Sequence, residues 1–351
     1  MGDNEPRAVS WSPHPWVAEG GGRIRFGAGV SARAPLPDWP TRLALVRGLE
    51  ALGYDSHWQP DHPAVAPDCW AIFAALAVAT SRIRLGPMVA CVGYRSPVML
   101  ARLAADVDGL SGGRLVLGLG CGWVGPEYGW LGLPFPPVPE RQRQLEEAVA
   151  VIHGLWGTTP GAAAAPEHAF PDPILGLAGP PPLTHHGACY RLDGALLRPG
   201  PVQRPRVPVL IAGGGERVTL RQVARYADAA NFGLDGTPGA TRTADAVRHK
   251  LAVLRERCAE RGRPSGSVLP THFTNPVVLA ESATALAAKR AALPPAYREA
   301  AGLFGTPDDA LAFYRPLVAA GLRYFIVNLA THDDLETARL LAERVFPALE
   351  H

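Results

Sequence analysis

Cysteine, methionine and long apolar runs are scarce in this chain, and each scarcity removes a class of protein. Its 351 residues hold five cysteines (Cys69, Cys91, Cys121, Cys189 and Cys258) and three methionines. The cysteines are odd in number, scattered and never spaced as Cys-x-x-Cys. They indicate neither a disulfide frame nor a zinc site, no metal is expected, and the expected compartment is a reducing cytoplasm. The longest apolar runs, such as Ala71–Ala79, fall well short of the roughly 20 residues that span a bilayer, so no membrane partner is expected. Charge of one sign is also lacking: 34 basic residues face 32 acidic ones, with no basic block, which argues against nucleic acid as a partner. The first 22 residues have charges, prolines and a glycine triplet but not the apolar core of a signal peptide. They are expected to be a flexible extension preceding one domain over residues 23–351.

What is abundant is core material, 47% hydrophobic, arranged as alternating short β-rich runs and helical patterns. Strands are predicted at Arg25–Val30, Tyr54–Trp58, Ile83–Ala90, Leu115–Leu119, Val209–Ala212, Ala229–Phe232, within Val268–Val278, and at Tyr324–Leu329. Each is followed by a helical pattern, among them Trp39–Leu52, Cys69–Thr80, Pro97–Leu110, Glu140–Leu155 and Ala244–Arg261. Thr306 to Asp309 has the form of a capping box. The stretch Gly157–His186, dense in Gly, Pro and Ala and without period, breaks the rhythm and reads as an inserted loop. Eight strand–helix units predict a parallel (β/α)8 barrel of the α/β class; a doubly wound sheet accommodates much of the same pattern.

In such barrels the chemistry sits at strand exits. The second exit carries Trp58 and the pair Asp61-His62. An imidazole there suits general acid–base work, although a surface histidine without a role fits the dipeptide as well. The third exit runs Met88-Val89-Ala90-Cys91-Val92-Gly93-Tyr94-Arg95 into a helix opened by Pro97. At the fourth, Gly118, Gly120 and Gly122 let a planar ring or pyrophosphate approach the backbone. Trp123 stands where a dinucleotide fingerprint needs its third glycine, so that fold is disfavoured. Cys121 lacks a partner histidine and reads as filler. At the fifth exit, Gly213-Gly214-Gly215 enters a helix, an arrangement of free amides suited to phosphate or to a simple left-handed turn. Pattern alone thus yields a barrel with a candidate phosphate site and no reaction.

Together these segments resemble the luciferase-like monooxygenase superfamily, specifically its deazaflavin (coenzyme F420)-dependent oxidoreductases. The resemblance covers about Arg25 to Ala348 and is carried by Ile83 to Pro97, Leu110 to Trp123, and Arg204 to Arg217. It implies a barrel, often dimeric, that binds a flavin-like ring at its C-terminal mouth. By the resemblance, Asp61 and His62 form the catalytic pair, with His62 transferring a proton. It places Met88–Val89, with Ala90, at a non-proline cis peptide forming a bulge behind the ring. Gly120, Cys121 and Gly122 line the cofactor, with Cys121 where Ala or Thr is usual, and Gly213, Gly214 and Gly215 hold its phosphate. Trp123 replaces an acidic residue that works with the histidine in the sugar-phosphate dehydrogenase branch, which disfavours that substrate. Trp58, Trp123, Tyr128 and Trp130 are expected to wall an apolar pocket for a small-molecule substrate.

The implied chemistry is hydride transfer between coenzyme F420 and an organic molecule. Two alternatives stand beside it: an FMN-dependent monooxygenase fed by a partner reductase, and a non-catalytic flavin or deazaflavin binder. A homodimer is expected from the same resemblance.

Overall fold

The computed structural model describes residues 11–32, 34–158, 174, 176, 179–232, 241–298 and 300–350. Strands in chain order are β1 (Arg25–Val30), β2 (Ser56–Gln59), β3 (Arg84–Pro87), β4 (Ala90–Cys91), β5 (Leu117–Gly120), β6 (Leu183–His186), β7 (Arg191–Ala195), β8 (Val209–Ala212), β9 (Ala229–Asn231), β10 (Leu269–Leu279), β11 (Leu303–Gly305) and β12 (Tyr324–Leu329). The helices are α1 (Pro15–Ala18), α2 (Trp39–Ala51), α3 (Cys69–Ala79), α4 (Pro97–Ser111), α5 (Gly125–Trp130), α6 (Val138–Leu155), α7 (Thr219–Tyr226) and α8 (Ala244–Ala259). They continue with α9 (Ala283–Ala292), α10 (Pro295–Arg298), α11 (Pro307–Ala319), α12 (Leu335–Leu340) and α13 (Phe346–Leu349).

The main sheet runs β3-β2-β1-β12-β10-β9-β8-β5-β4, with β11 added beside β10, and its pairings are parallel. A bridge between Leu85 and Leu115 brings its two ends together, so the sheet closes as the expected (β/α)8 barrel. The strand predicted as continuous over Ile83–Ala90 is two pieces, β3 and β4, separated by a cis Met88–Val89 peptide. Local chemistry sets the helix starts. Ser96 caps the Met99 amide with Pro97 at the first helical position, and Thr306 and Asp309 cap each other reciprocally, as the sequence suggested.

Alternation along each strand sorts the side chains into two cores. The larger lies between strands and helices and includes Leu85, Phe73 and Phe325. The smaller fills the barrel interior, where Trp58, Tyr324, Ile326, Leu210 and Val116 meet. The N-terminal segment completes it, which corrects the expectation of a flexible extension for residues 11–22. Trp16 on α1 is fully buried at the strands' N-terminal end, edge-on to Tyr324 with ring centroids 5.7 Å apart. His14 Nε2 pairs with the Arg206 carbonyl at 2.8 Å, and Arg25 donates to the Trp16 carbonyl at 3.1 Å. An open barrel floor would leave interior apolar surface wet, and the indole covers it. Residues 1–10 lie outside the described residues, as does most of the predicted inserted loop. The described end of that loop forms the antiparallel hairpin β6–β7, held to α6 by the Glu147 carboxylate, which accepts the amides of Ala188, Cys189 and Tyr190 at 3.0, 2.9 and 3.1 Å. No helix among the described residues is long and apolar enough to cross a membrane.

Candidate active site

Because the strands are parallel, their exits converge on one rim, and there a cavity of about 400 Å³ opens. Asp61 and His62 reach it from β2, Met88 and Val89 from the break between β3 and β4, and Gly120, Cys121, Gly122 and Trp123 from β5. Gly213, Gly214 and Gly215 enter from β8, and Asn231 and Phe273, which the sequence did not single out, from β9 and β10. Four expected residues do not line it. Trp58 points into the barrel interior, Tyr128 is buried beneath Gly93 and Gly122, and Ala90 is buried behind the rim. Trp130 is largely exposed and is absent from the lining.

The sequence neighbours Asp61 and His62 do not act on each other. Asp61 is buried, accepting from Arg95 Nη1 at 2.7 Å and from the Cys91 amide at 3.2 Å; the other arm of Arg95 holds Asp68 at 2.6 Å. Burial pushes the Asp61 carboxyl above its ordinary value, against the pull of Arg95. Its oxygens are engaged in tying β2 to the loop after β4. His62 instead pairs with Glu127 on α5: its Nδ1 lies 2.8 Å from the buried Glu127 Oε2. Tyr94 donates its hydroxyl to the same oxygen at 2.7 Å. Burial, then the Glu127 contact, raise the Tyr94 hydroxyl far above its ordinary value, so it stays a donor. Among the described residues no protein group takes His62 Nε2, leaving that nitrogen to the cavity.

Glu127 went unseen in the sequence because α5 spans only six residues, too short for a periodic signal, and its partner is 65 positions away. It also removes the argument that Trp123 deprives His62 of an acidic partner. Trp123 stands at the lip, 71% exposed, and the carboxylate arrives one helical turn later.

Two glycines show why the rim is tight. At Gly120 an added Cβ would lie 2.6 Å from Val89 Cγ2, and at Gly122, with φ +76°, it would lie 2.4 Å from the Tyr128 hydroxyl. The turn after β8 uses the Gly213 amide in the sheet, bonded to the Asn231 carbonyl at 2.8 Å. The amides of Gly214 and Gly215 have no acceptor among the described residues, and the Lys250 ammonium sits 2.8 Å from the Gly214 carbonyl. The free amides suit an anionic group, whereas the Lys250 ammonium is already paired with the Glu216 carboxylate at 2.5 Å. Burial raises the Cys121 thiol above its ordinary value, which disfavours a thiolate, and Gln142 donates to its sulfur at 3.4 Å.

A family model described as luciferase-like monooxygenase matches residues 20–324. The chain is 29% identical over 253 residues to the 4-hydroxyprotoasukamycin monooxygenase of Streptomyces nodosus subsp. asukaensis, covering 69% of this chain and 61% of that protein. It is 26% identical over 335 residues to the F420-dependent glucose-6-phosphate dehydrogenase of Amycolatopsis mediterranei, covering 86% of this chain and 91% of that one. Several other curated relatives are matched over about half their length. Among solved structures, the coenzyme F420-dependent tetrahydromethanopterin reductase of Methanopyrus kandleri superposes with a TM-score of 0.70 at 17% identity, covering 93% of this chain and 99% of that one, which shows the shared fold.

Proposed function

Since the chain belongs to the luciferase-like monooxygenase family of oxidoreductases, we propose that it transfers a hydride between coenzyme F420 and a small organic substrate, with His62 giving or taking the accompanying proton. The observation that carries this reading is the His62–Glu127 pair at 2.8 Å on the rim of a cavity whose far side is the open glycine turn.

The residues present fit such a cofactor. Met88, Val89 and Phe273 offer an apolar wall for a planar ring, and the unpaired amides of Gly214 and Gly215 offer donors for its phosphate. When bound, the deazaflavin supplies the hydride or accepts it. Glu127 accepts from Nδ1–H of His62 and thereby fixes the ring's orientation and leaves Nε2 for the proton at the substrate oxygen or nitrogen. Arg95 and Asp61 brace the loop that presents His62. Trp123 and Val124 add apolar surface to the lining beside the glycines after β5.

The alternative, an FMN-dependent monooxygenase receiving reduced flavin from a partner, is supported by the monooxygenase relative at 29% identity. The F420 reading is favoured because the alignment running nearly end to end in both chains is with an F420-dependent enzyme. Titration with oxidised F420 and separately with FMN, followed by fluorescence, decides between them. Selective F420 binding, with turnover lost in His62→Ala but binding retained, is the expected result. Selective FMN binding moves the protein to the monooxygenases, and loss of neither binding nor turnover in His62→Ala removes the histidine from the mechanism.

A further inference from the structure

The strands' N-terminal ends bear a second cavity, of about 340 Å³, on the face opposite the candidate active site. Arg23, Arg25, Arg255 and Arg323 line it beside Ser265 and Gly266, and no Asp or Glu is among the lining residues. Among the described residues only Arg25 of these four has a carboxylate partner, Asp55 at 3.4 Å. Arg323 donates to the carbonyls of Val318 and Leu322 at 2.7 and 2.8 Å, and Arg23 to the Glu19 carbonyl at 3.4 Å. Arg255 has neither hydrogen bond nor ion pair among the described residues. Glu350 borders an adjoining hollow with Arg23 and Arg323 but pairs with neither.

Guanidinium groups sharing one small cavity repel one another unless an anion lies between them, and their planar forks match phosphate oxygens two at a time. The cavity is also built from ordered parts. Arg25 is held across the rings of Trp16 and Tyr324, 5.7 and 5.1 Å from their centroids. Gly20 and Gly22, which follow α1, form part of the wall. We propose that this floor cavity binds a multiply charged phosphate anion of the diphosphate class, either free or carried by a nucleotide, at a site separate from the reaction.

The test is calorimetric titration of the full chain with inorganic pyrophosphate and with ADP, at low salt and again at about 0.3 M salt. Wild type is expected to bind pyrophosphate at this site, more weakly as salt rises. Arg255→Gln should weaken it roughly tenfold and Arg23→Gln/Arg255→Gln roughly a hundredfold, taking about 1.4 kcal/mol per lost charge-assisted contact. Neither side chain bonds to another side chain, so both variants should fold as wild type. ADP binding more than tenfold tighter than pyrophosphate assigns the anion to a nucleotide, and equal binding assigns it to the free ion; both uphold the site. Unchanged affinity in the double variant overturns the proposal. So does binding that survives both arginine changes but disappears in Gly215→Asp, because the anion then occupies the turn at the other end of the barrel.

Discussion

Replacing Glu127 with Gln changes one oxygen to an amide nitrogen and removes a charge at a site where three donors converge. His62 Nδ1 lies 2.8 Å from Oε2, the Tyr94 hydroxyl 2.7 Å from the same atom, and the Ala64 amide 3.4 Å from Oε1. His62 and Tyr94 share Oε2, so the carbonyl oxygen that keeps the Tyr94 bond also keeps Nδ1, and the new NH2 takes the Oε1 position against the Ala64 amide. Nδ1–H then donates to a neutral amide oxygen in place of a carboxylate, and an imidazolium forming at His62 loses its counter-charge. A hydrogen bond to a buried charged group contributes about 1.5–3 kcal/mol, so the rate should fall roughly ten- to a hundredfold. The assay is single-turnover reduction or oxidation of F420, followed at its visible absorbance, alongside cofactor affinity. The expected pattern is a slowed hydride step with an unchanged F420 dissociation constant. A hydride step within twofold of wild type would falsify the orienting role of Glu127, and parallel losses in rate and affinity would show a structural role instead.

Trp16→Ala should cost about 3–5 kcal/mol in urea unfolding, because it opens a cavity at a fully buried position; a cost below about 1 kcal/mol would mean that α1 does not seal the barrel. Asp228 predicts acid sensitivity. Burial alone would raise its carboxyl, but Arg206, at 2.5 and 3.0 Å, outweighs that and holds it at about 2, below its ordinary 3.8. With the folded value below the unfolded one, its contribution, about 2 kcal/mol, is complete above roughly pH 4 and is lost as pH falls toward 2. Asp228→Asn should therefore flatten the stability profile over that window, and an unaltered slope would contradict the assignment.

The barrel was legible because its evidence is local. β1, β8 and β12 begin and end where β-rich runs do, and Pro97 and Thr306 announce their helices. Of the residues that line the rim cavity, family wording named His62, Met88–Val89 and the three glycines after β8. Long-range partners were not legible. Glu127 meets His62 only once β2 and α5 are folded together, and Asp61, beside His62 in sequence, turns away to Arg95. Trp58 was misplaced although alternation carries the signal: it shares the inward face of β2 with Ser56, whose hydroxyl lies 2.5 Å from the Tyr324 hydroxyl inside the barrel. The N-terminal segment misled because glycines and prolines read as disorder, while a single indole anchors it.

The carboxylate of Glu147 has a consequence for how this chain can change over time. By gathering three successive amides at the hairpin's turn, it fastens the returning end of the inserted segment to α6, the helix from which that segment departs. The two ends of the stretch between Thr158 and Leu183 are thus fixed by contacts of the described residues. Closing such a loop costs only slowly more as it lengthens. Insertions or deletions made inside this clasp should therefore leave the register of β8 unshifted, so the stretch is suited to exchange as a cassette.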